Sequence, residues 1–305
     1  MILDWSRTGR IGPAPSNKAC RIALALVLGF GVLLGQRPCF GAVAGSNASA
    51  GSGPSAAVRL YVIDNGRIQI DPALFHFKRE EVAEPNMVAV SYLIVHPRGS
   101  LMWDTGMIAD AAFNDGPVTV NRRGYVGTAT KTLRSKLQAI GYAPGEIDFL
   151  ALSHWHGDHT ANIGEFKKAT WIVQRSERDA MLASAGAGAF ADLKNQPTKI
   201  LDGADCDVFG DQTVVIKAAY GHSPGHQVLL VNLKNTGPIL LAGDLYHYPE
   251  ERGTRKVPDF EFNQAQSLAS RAMIEEFLKS SGARLWIEHD SSLFKTLRIA
   301  PSYYD

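Results

Sequence analysis

The sequence predicts an α/β fold, because short apolar runs suited to buried strands alternate with amphipathic segments suited to helices. The chain has 305 residues, of which 45% are hydrophobic and 29 are glycine, as expected for a globular α/β enzyme with many tight turns. Polar residues that can ligate metals follow directly after four of the apolar runs. Open α/β sheets present ligands at that edge, so the pattern indicates an enzyme site at the ends of the strands.

The first half of the body has the following predicted elements. We expect strands at 60–63, 88–95, 100–103, 149–152 and 171–173, and helices at 128–140, 161–166 and 176–181. The helix at 128–140 places Leu133, Leu137 and Ile140 on one face and ends at Gly141. Ser176 and Asp179 are a predicted capping pair at the start of the third helix.

The second half shows the same alternation of strands and helices. We expect strands at 214–218, 228–232 and 239–241, a helix at 263–279, and a final strand that leads into His289. Four residues of the long helix are predicted to face inward, and Gly282 to end it; the four are Leu268, Ala272, Phe277 and Leu278. The segments 71–86 and 249–259 are predicted loops, and loops this long are often lids or binding loops.

The run His154–His159, with the letters HWHGDH, is the densest chemical signal in the chain. It places three imidazoles and one carboxylate within six residues, and these are ligands that zinc and similar metals take. Such a cluster is costly to bury unless a bound ion compensates its polar groups. The alternative is a solvated loop that happens to be rich in histidine.

Three further ligating residues each follow a strand-like run, and together with the histidine-rich run they suffice for two metal ions. The predicted ligands are His154, His156 and His222 for one zinc, Asp158, His159 and His289 for the second, and Asp244 as the bridge. Two adjacent metals polarise an acyl or phosphoryl oxygen and lower the pKa of a shared water. The predicted cofactor is therefore two Zn²⁺ ions per chain, although other divalent metals suit the same donors.

These residues resemble the metallo-β-lactamase superfamily, whose His-x-His-x-Asp-His signature, later His, later Asp and last His occur here in order. Within it, the chain is similar to the N-acyl-homoserine lactonases over 104–107, 222–227 and 289–290. The resemblance implies an αββα sandwich of two mixed sheets with helices outside. It also implies that Asp104 supports the ligands from behind. His222 is the implied ligand, whereas His226 is packed or hydrogen-bonded.

The resemblance implies hydrolytic opening of a lactone ring by a metal-bridging hydroxide, with Asp158 passing the proton to the leaving alkoxide. The lactonases place a tyrosine three positions after the bridging aspartate, where it helps to hold the substrate carbonyl. This chain has His247 there, between Tyr246 and Tyr248. We expect Tyr246 or His247 to take that role; the alternative is that all three residues only pack the loop.

Four residues are predicted to shape the substrate pocket. Phe75, Phe77 and Met87 are proposed to line an apolar pocket for an acyl chain, unless they only pack the 71–86 loop against the body. Gly157 stands where the lactonases often have a bulky aromatic residue, which implies a roomier pocket. These departures from the family pattern affect the expected substrate more than the expected reaction.

Several other activities share this ligand order. The main alternative is an organophosphate triester hydrolase of the methyl-parathion-hydrolase type. A β-lactamase generally lacks the bridging Asp244, and a glyoxalase-type thioesterase usually has a further C-terminal region. A redox diiron protein would typically replace His156 with Glu. A protein that only stores metal would need no open coordination position, which the complete ligand set disfavours.

Residues 1–44 are a predicted signal peptide, 45–57 a flexible linker, and 58–305 the hydrolase domain. Basic residues precede the apolar stretch 22–34, and Ala42-Val43-Ala44 forms the expected cleavage site; an uncleaved anchor is the alternative. We therefore expect a periplasmic or secreted enzyme without stable membrane insertion. The first 44 residues carry +4 and the remainder −3, for a total of +1, which argues against nucleic acid as a partner. The expected partner is a small lactone, and the sequence leaves a homodimer open.

Overall fold

The structure is a computed structural model that describes residues 57–122, 124–184, 190 and 193–305. The predicted signal peptide and all but the last residue of the predicted linker lie outside this part of the chain, so export stays a prediction. Among the helices of the described segments, none combines the length and the apolar character that crossing a bilayer requires.

The described residues form fourteen strands and five α-helices, joined by short 3-10 turns. The strands are β1 Arg59–Ile70, β2 Met87–His96, β3 Gly99–Trp103, β4 Val118–Arg122, β5 Tyr125–Ala129, β6 Phe149–Ala151, β7 Thr170–Gln174, β8 Thr198–Leu201, β9 Cys206–Asp207, β10 Val214–Ala218, β11 Gln227–Leu233, β12 Gly237–Leu241, β13 Arg284–Trp286 and β14 Tyr303–Tyr304. The helices are α1 Leu133–Gln138, α2 Gly157–Thr160, α3 Arg175–Ala183, α4 Gln264–Ser281 and α5 Ser291–Phe294.

Two mixed sheets make up the domain. Within the described segments the first has the order β4-β5-β1-β2-β3-β6-β7-β8, with β14 also paired to β1, and the second has the order β13-β12-β11-β10-β9. Strands β3, β6, β7 and β8 are parallel neighbours, as are β12 and β13, and the other pairs are antiparallel. The predicted αββα sandwich is confirmed.

Strand β2 shows why the sheets pack as a sandwich, because all ten of its residues are buried. Side chains alternate across a strand. Val90 and Tyr92 therefore join the core between the sheets, whereas Leu93 joins the core beneath α1. The second sheet is covered on its outer face by α4, through Ile274 and Leu278. Burying each such aliphatic side chain contributes about 1.5–3 kcal/mol.

The predicted strands all occur, but one predicted helix start and one predicted cap are wrong, and the predicted helix at 161–166 is only the 3-10 turn Ile163–Glu165. Residues 128 and 129 end β5, which pairs with β1, and α1 begins only at Leu133 after the cap residue Thr132. The Ser176 hydroxyl donates to the Pro224 carbonyl instead of capping α3, which begins at Arg175. Strand pairing at residues 128–129 and a hydrogen bond to a distant loop at Ser176 outweighed the local sequence pattern.

The long helix is close to its prediction. Asn263 caps the N-terminus of α4, and Gly282 ends the helix with φ +68°. Its buried face differs from the prediction, because Ala272 is exposed and polar residues are buried instead. Ser267, Ser270 and Arg271 face the loops that carry the candidate site, so this face of α4 supports the site as well as the core.

Candidate metal centre

The strand ends bring the predicted ligands together. His154, Asp244 and His289 each lie three residues beyond the last residue of a strand, namely β6, β12 and β13. Strands β12 and β13 are parallel, and Leu241 at the end of β12 is paired with Trp286 at the end of β13. The segments that follow these two strands therefore leave the sheet side by side. Because each of these ligands follows its strand by three residues, their side chains gather at one edge of the sandwich.

The first group of donors is formed by three histidines. His222 Nε2 lies 3.1 Å from His154 Nε2 and 3.0 Å from His156 Nδ1. Ring nitrogens of three imidazoles do not converge on one point without a shared proton or a cation between them. Zinc bonds to imidazole nitrogen at about 2.0–2.1 Å, which places neighbouring donor nitrogens at nearly this separation.

The second group contains Asp158, His159 and His289. Asp158 Oδ2 lies 3.8 Å from His159 Nε2 and 3.7 Å from His289 Nε2. The short helix α2 carries Asp158 and His159, and its position is fixed where the Thr105 amide donates to the His159 carbonyl at 2.6 Å. The turn that follows Asp104 therefore sets the place of this group.

Asp244 lies between the two groups and divides its oxygens between them. Oδ1 is 3.2 Å from His159 Nε2 and 3.1 Å from His289 Nε2. Oδ2 is 3.6 Å from His154 Nε2 and 3.4 Å from His222 Nε2. One carboxylate thus faces both donor groups, which is the arrangement that a bridging ligand requires.

The chemistry of these donors fits bound divalent metals. The buried atoms His159 Nε2 and Asp244 Oδ1 have no hydrogen-bond partner among the described residues, and both face the cluster. Burial lowers the pKa of His154 well below its ordinary value and lowers that of His156 to about 3. Both rings are therefore neutral at physiological pH, which is the form that ligates metals.

Asp104 holds the second group from behind, where the sequence places it. Its Oδ2 accepts from His159 Nδ1 at 3.1 Å, and its Oδ1 accepts from the Ser153 amide at 2.7 Å. The residue adopts φ +59°, an uncommon conformation for a side chain other than glycine. Glu288, also buried, lies 3.3 Å from the same His159 nitrogen. Burial and the charge of Asp104 raise the pKa of Glu288 to about 8.

Besides Glu288, sequence reasoning missed two further buried glutamates that position the predicted ligands. Glu261 Oε1 accepts from His222 Nδ1 at 3.0 Å. Glu177 accepts from the Trp155 amide, the Ser223 hydroxyl and the Gly225 amide at 2.7–2.8 Å. Glu177 thereby joins the two loops that supply the histidines of the first group. An acidic residue in a predicted surface helix or loop carries no local sign of such a role, so only the three-dimensional contacts reveal it.

His226 is a structural residue, in agreement with the sequence analysis. Its Nδ1 donates to the Ala219 carbonyl at 3.0 Å, and its Nε2 accepts from the Asp244 amide at 3.0 Å. Burial lowers its pKa to about 3, so the neutral ring both donates and accepts. The histidine therefore fixes the backbone of the residue that faces both donor groups.

Only one of the three residues around position 247 faces the donors. His247 Nε2 lies 3.4 Å from Asp244 Oδ2, and its ring packs against Phe75 at 4.7 Å between centroids. Burial opposes charging of His247, but Glu251 and Asp244 outweigh burial and raise its pKa to about 10. The Tyr246 hydroxyl instead donates to Glu275 at 3.1 Å, on the far side of the loop. Of the two residues predicted for the catalytic role, the structure therefore favours His247 over Tyr246.

Tyr248 is also turned away from the donors. Its hydroxyl donates to the Pro85 carbonyl at 2.7 Å, and its ring packs edge-on against Phe75 and Phe77. Tyr248 thus ties the 71–86 loop to the loop that follows Asp244.

The predicted pocket residues separate into two kinds. Phe75 is 1% exposed and lies in the apolar cluster beneath the 71–86 loop, but its ring also contacts His247 and the half-exposed Phe260. Phe77 and Met87 are buried in the apolar cluster beneath the loop, as in the packing alternative. A Cβ atom added at Gly157 would meet no atom within 4 Å, so the space beside that residue is open.

Comparison with known proteins agrees with this geometry. A sequence model of the Metallo-beta-lactamase superfamily matches residues 86–277. The N-acyl homoserine lactonase AttM of Azorhizobium caulinodans is 28% identical over 268 residues, which cover 81% of this chain and 99% of the relative. The N-acyl homoserine lactonase AiiA of Bacillus thuringiensis subsp. kurstaki is 29% identical over 80% of this chain and 98% of its own length.

Solved structures give the same picture. A structure of an N-acyl homoserine lactone hydrolase with the product N-hexanoyl-L-homoserine at its catalytic metal center superimposes with a TM-score of 0.67. That chain is 27% identical, and the match covers 80% of this chain and 98% of the other. The dizinc quorum-quenching lactonase AidC, 16% identical with a TM-score of 0.59, shares the fold. The chain therefore belongs to the metallo-beta-lactamase superfamily and, within it, resembles the N-acyl homoserine lactonases.

Proposed function

We propose that the chain is a metal-dependent ester hydrolase that opens the lactone ring of N-acyl homoserine lactones with a pair of zinc ions. The observation that carries this proposal is the position of Asp244, which presents one oxygen to each donor group at 3.1–3.6 Å. The similarity to lactonases over most of both chains supports the choice of substrate.

The residues assigned to the metals follow from the two donor groups. His154, His156 and His222 would hold one ion, Asp158, His159 and His289 the other, and Asp244 both. When bound, the metal pair supplies an activated water as the nucleophile and polarises the ester carbonyl. Nitrogen and carboxylate donors suit zinc, and they also accept other divalent transition metals.

Two side chains of the protein would then act on the lactone. His247 Nε2 lies 3.4 Å from Asp244 Oδ2 at the edge of the donor cluster, where a hydrogen bond from its ring would stabilise the developing oxyanion. Asp158 is partly exposed and lies beside His159 and His289 in the second donor group, so it would carry a proton from the attacking water to the leaving alkoxide. The water oxygen would add to the carbonyl carbon first, the ring C–O bond would then break as the carbonyl re-forms, and the alkoxide would take the proton, which gives an N-acyl homoserine.

A substrate panel tests this proposal with the zinc-loaded domain. The panel contains short-chain and long-chain N-acyl homoserine lactones, a simple γ-lactone, an organophosphate triester and a β-lactam. We expect kcat/KM to be highest for the acyl homoserine lactones. A preference for the triester would favour the phosphotriesterase alternative, with which the open space beside Gly157 is compatible. Equal activity on every compound would contradict a dedicated lactonase.

A further inference from the structure

Three buried ionisable side chains connect helix α4 to the residue that faces the metals. Arg271, Glu251 and His247 are 4%, 0% and 3% exposed. Arg271 Nη2 lies 3.4 Å from Glu251 Oε2, and the same oxygen lies 3.6 Å from His247 Nδ1. Burial of charged groups is costly, so a buried row of this kind needs compensating contacts or a functional reason.

Arg271 is anchored by contacts on both sides of the loop that contains His247. Its Nε donates to the Leu245 carbonyl and its Nη1 to the Lys256 carbonyl, each at 2.8 Å. Its guanidinium also lies over the Tyr246 ring, 4.6 Å from the centroid. The planar guanidinium can make these contacts at once because its donors form a rigid fork.

Glu251 contacts both the backbone and the ring of His247. Its Oε2 accepts from the His247 amide at 2.5 Å and from the Tyr248 amide at 3.4 Å. The carboxylate therefore fixes the turn at residues 247–251 as well as facing the ring nitrogen Nδ1. The opposite nitrogen, Nε2, faces Asp244.

Apart from Glu251 at Nδ1 and Asp244 at Nε2, the described neighbours of the His247 ring are mainly aromatic rings. Phe75 and Phe260 pack against it at centroid distances of 4.7 and 5.7 Å. Neither ring nitrogen has a regular hydrogen bond within the described part of the chain. Ring packing confines the imidazole but does not choose which edge faces the donors, so its two carboxylate neighbours, Glu251 at Nδ1 and Asp244 at Nε2, set that orientation.

We propose that Glu251 and Arg271 are positioning residues, which hold the His247 ring with Nε2 directed at the substrate carbonyl above Asp244. Arg271 orients the Glu251 carboxylate, and Glu251 orients the ring. This inference rests on the proposed function in one respect, which is the contact of His247 with the substrate. Neither Glu251 nor Arg271 touches the metal donors, so their replacement tests the ring position without removing a ligand.

A double-mutant cycle tests the proposal. The variants are Glu251→Gln, His247→Gln and their combination, and Glu275→Gln is the matched control, because Glu275 also pairs with an arginine, Arg252, but lies on the outer side. For the metal-loaded protein, we expect Glu251→Gln to lower kcat about 10-fold with KM changed less than about 3-fold. In the His247→Gln background the same change should lower kcat by less than about 2-fold. Glu275→Gln should leave kcat unchanged.

A second variant and a second readout cover the case in which Glu251→Gln folds poorly. Arg271→Lys keeps the positive charge but loses the planar guanidinium donors. It should therefore lower kcat less than Glu251→Gln does, and it should not lower kcat in the His247→Gln background. In protein labelled with ¹⁵N-histidine, the ring resonances of His247 should shift in both variants and stay unchanged in Glu275→Gln. Metal content should remain at the wild-type level in all of them.

The outcomes separate this inference from the proposed function. Equal losses of kcat in the presence and absence of His247, or unshifted ring resonances, would overturn the positioning role. If the wild type hydrolyses a triester and no lactone, the proposed substrate fails, and the cycle is measured on the triester. If it hydrolyses nothing on the panel, the ring resonances still decide whether Glu251 and Arg271 hold His247.

Discussion

The donor cluster and the rim above it, formed by residues 246–262, are built in different ways. In the cluster, outward-facing ring nitrogens are bonded to the protein, as in His159 to Asp104, His222 to Glu261, and His289 to the Val88 carbonyl at 2.7 Å. On the rim, the His247 ring packs against the rings of Phe75 and Phe260, and the Phe260 side chain is half exposed. The difference teaches that the donor rings are held by hydrogen bonds on their outer side, whereas the His247 ring on the rim has no regular hydrogen bond to the described residues.

The strongest way to break this comparison is to remove the residue shared by both donor groups. Asp244→Ala should abolish turnover of every substrate and reduce bound metal, because no other carboxylate faces both groups among the described residues. Metal content by mass spectrometry and turnover on the panel measure the effect. Asp202→Ala is the control, since Asp202 pairs only with the exposed Arg175. Wild-type turnover in Asp244→Ala would exclude a dinuclear mechanism.

A milder change sharpens the role of the outer hydrogen bonds. Glu261→Gln keeps the size of the side chain but loses the charge opposite His222 Nδ1. We expect metal affinity to fall about 10–100-fold, the usual effect of such outer partners. Competition with a chromogenic chelator measures the affinity. Asp259→Asn, in the same loop with an 86% exposed side chain, should not change it. Equal affinity in both variants would mean that the cluster does not depend on its outer contacts.

The smallest expected effect is on the rim, one residue before His247. Tyr246→Phe removes a hydroxyl that bonds Glu275 and points away from the donors. Turnover should stay within about 2-fold of wild type, while stability falls by about 0.5–1.5 kcal/mol, the net value of an ordinary hydrogen bond. Steady-state kinetics and urea unfolding measure the two quantities. A large fall in kcat with unchanged stability would return Tyr246 to the catalytic residues.

Much of the cluster could be predicted from the sequence because its ligands repeat one local rule. Each of three ligands lies three residues after an apolar strand, namely His154, Asp244 and His289. Parallel neighbouring strands end at the same edge of a sheet, so ligands at the same distance from the strand ends lie close together. The burial of β2 on both faces is equally local, since a continuous apolar run suits a strand covered on both sides. Local pattern failed at residues 128–129, where pairing with β1 outweighed helical periodicity.

The sequence by itself determined the α/β class, most strand positions and the donors that gather at the sheet edge, because these depend on periodicity and on residue type. Tertiary structure alone decided which of Tyr246 and His247 faces the donors, since neighbouring residues of a short turn point in different directions. It also decided the contacts of Glu177, Glu261 and the Arg271–Glu251 pair. These residues contact partners 20 to 48 positions away, and no local pattern encodes a contact that only the packing of distant loops and helices creates.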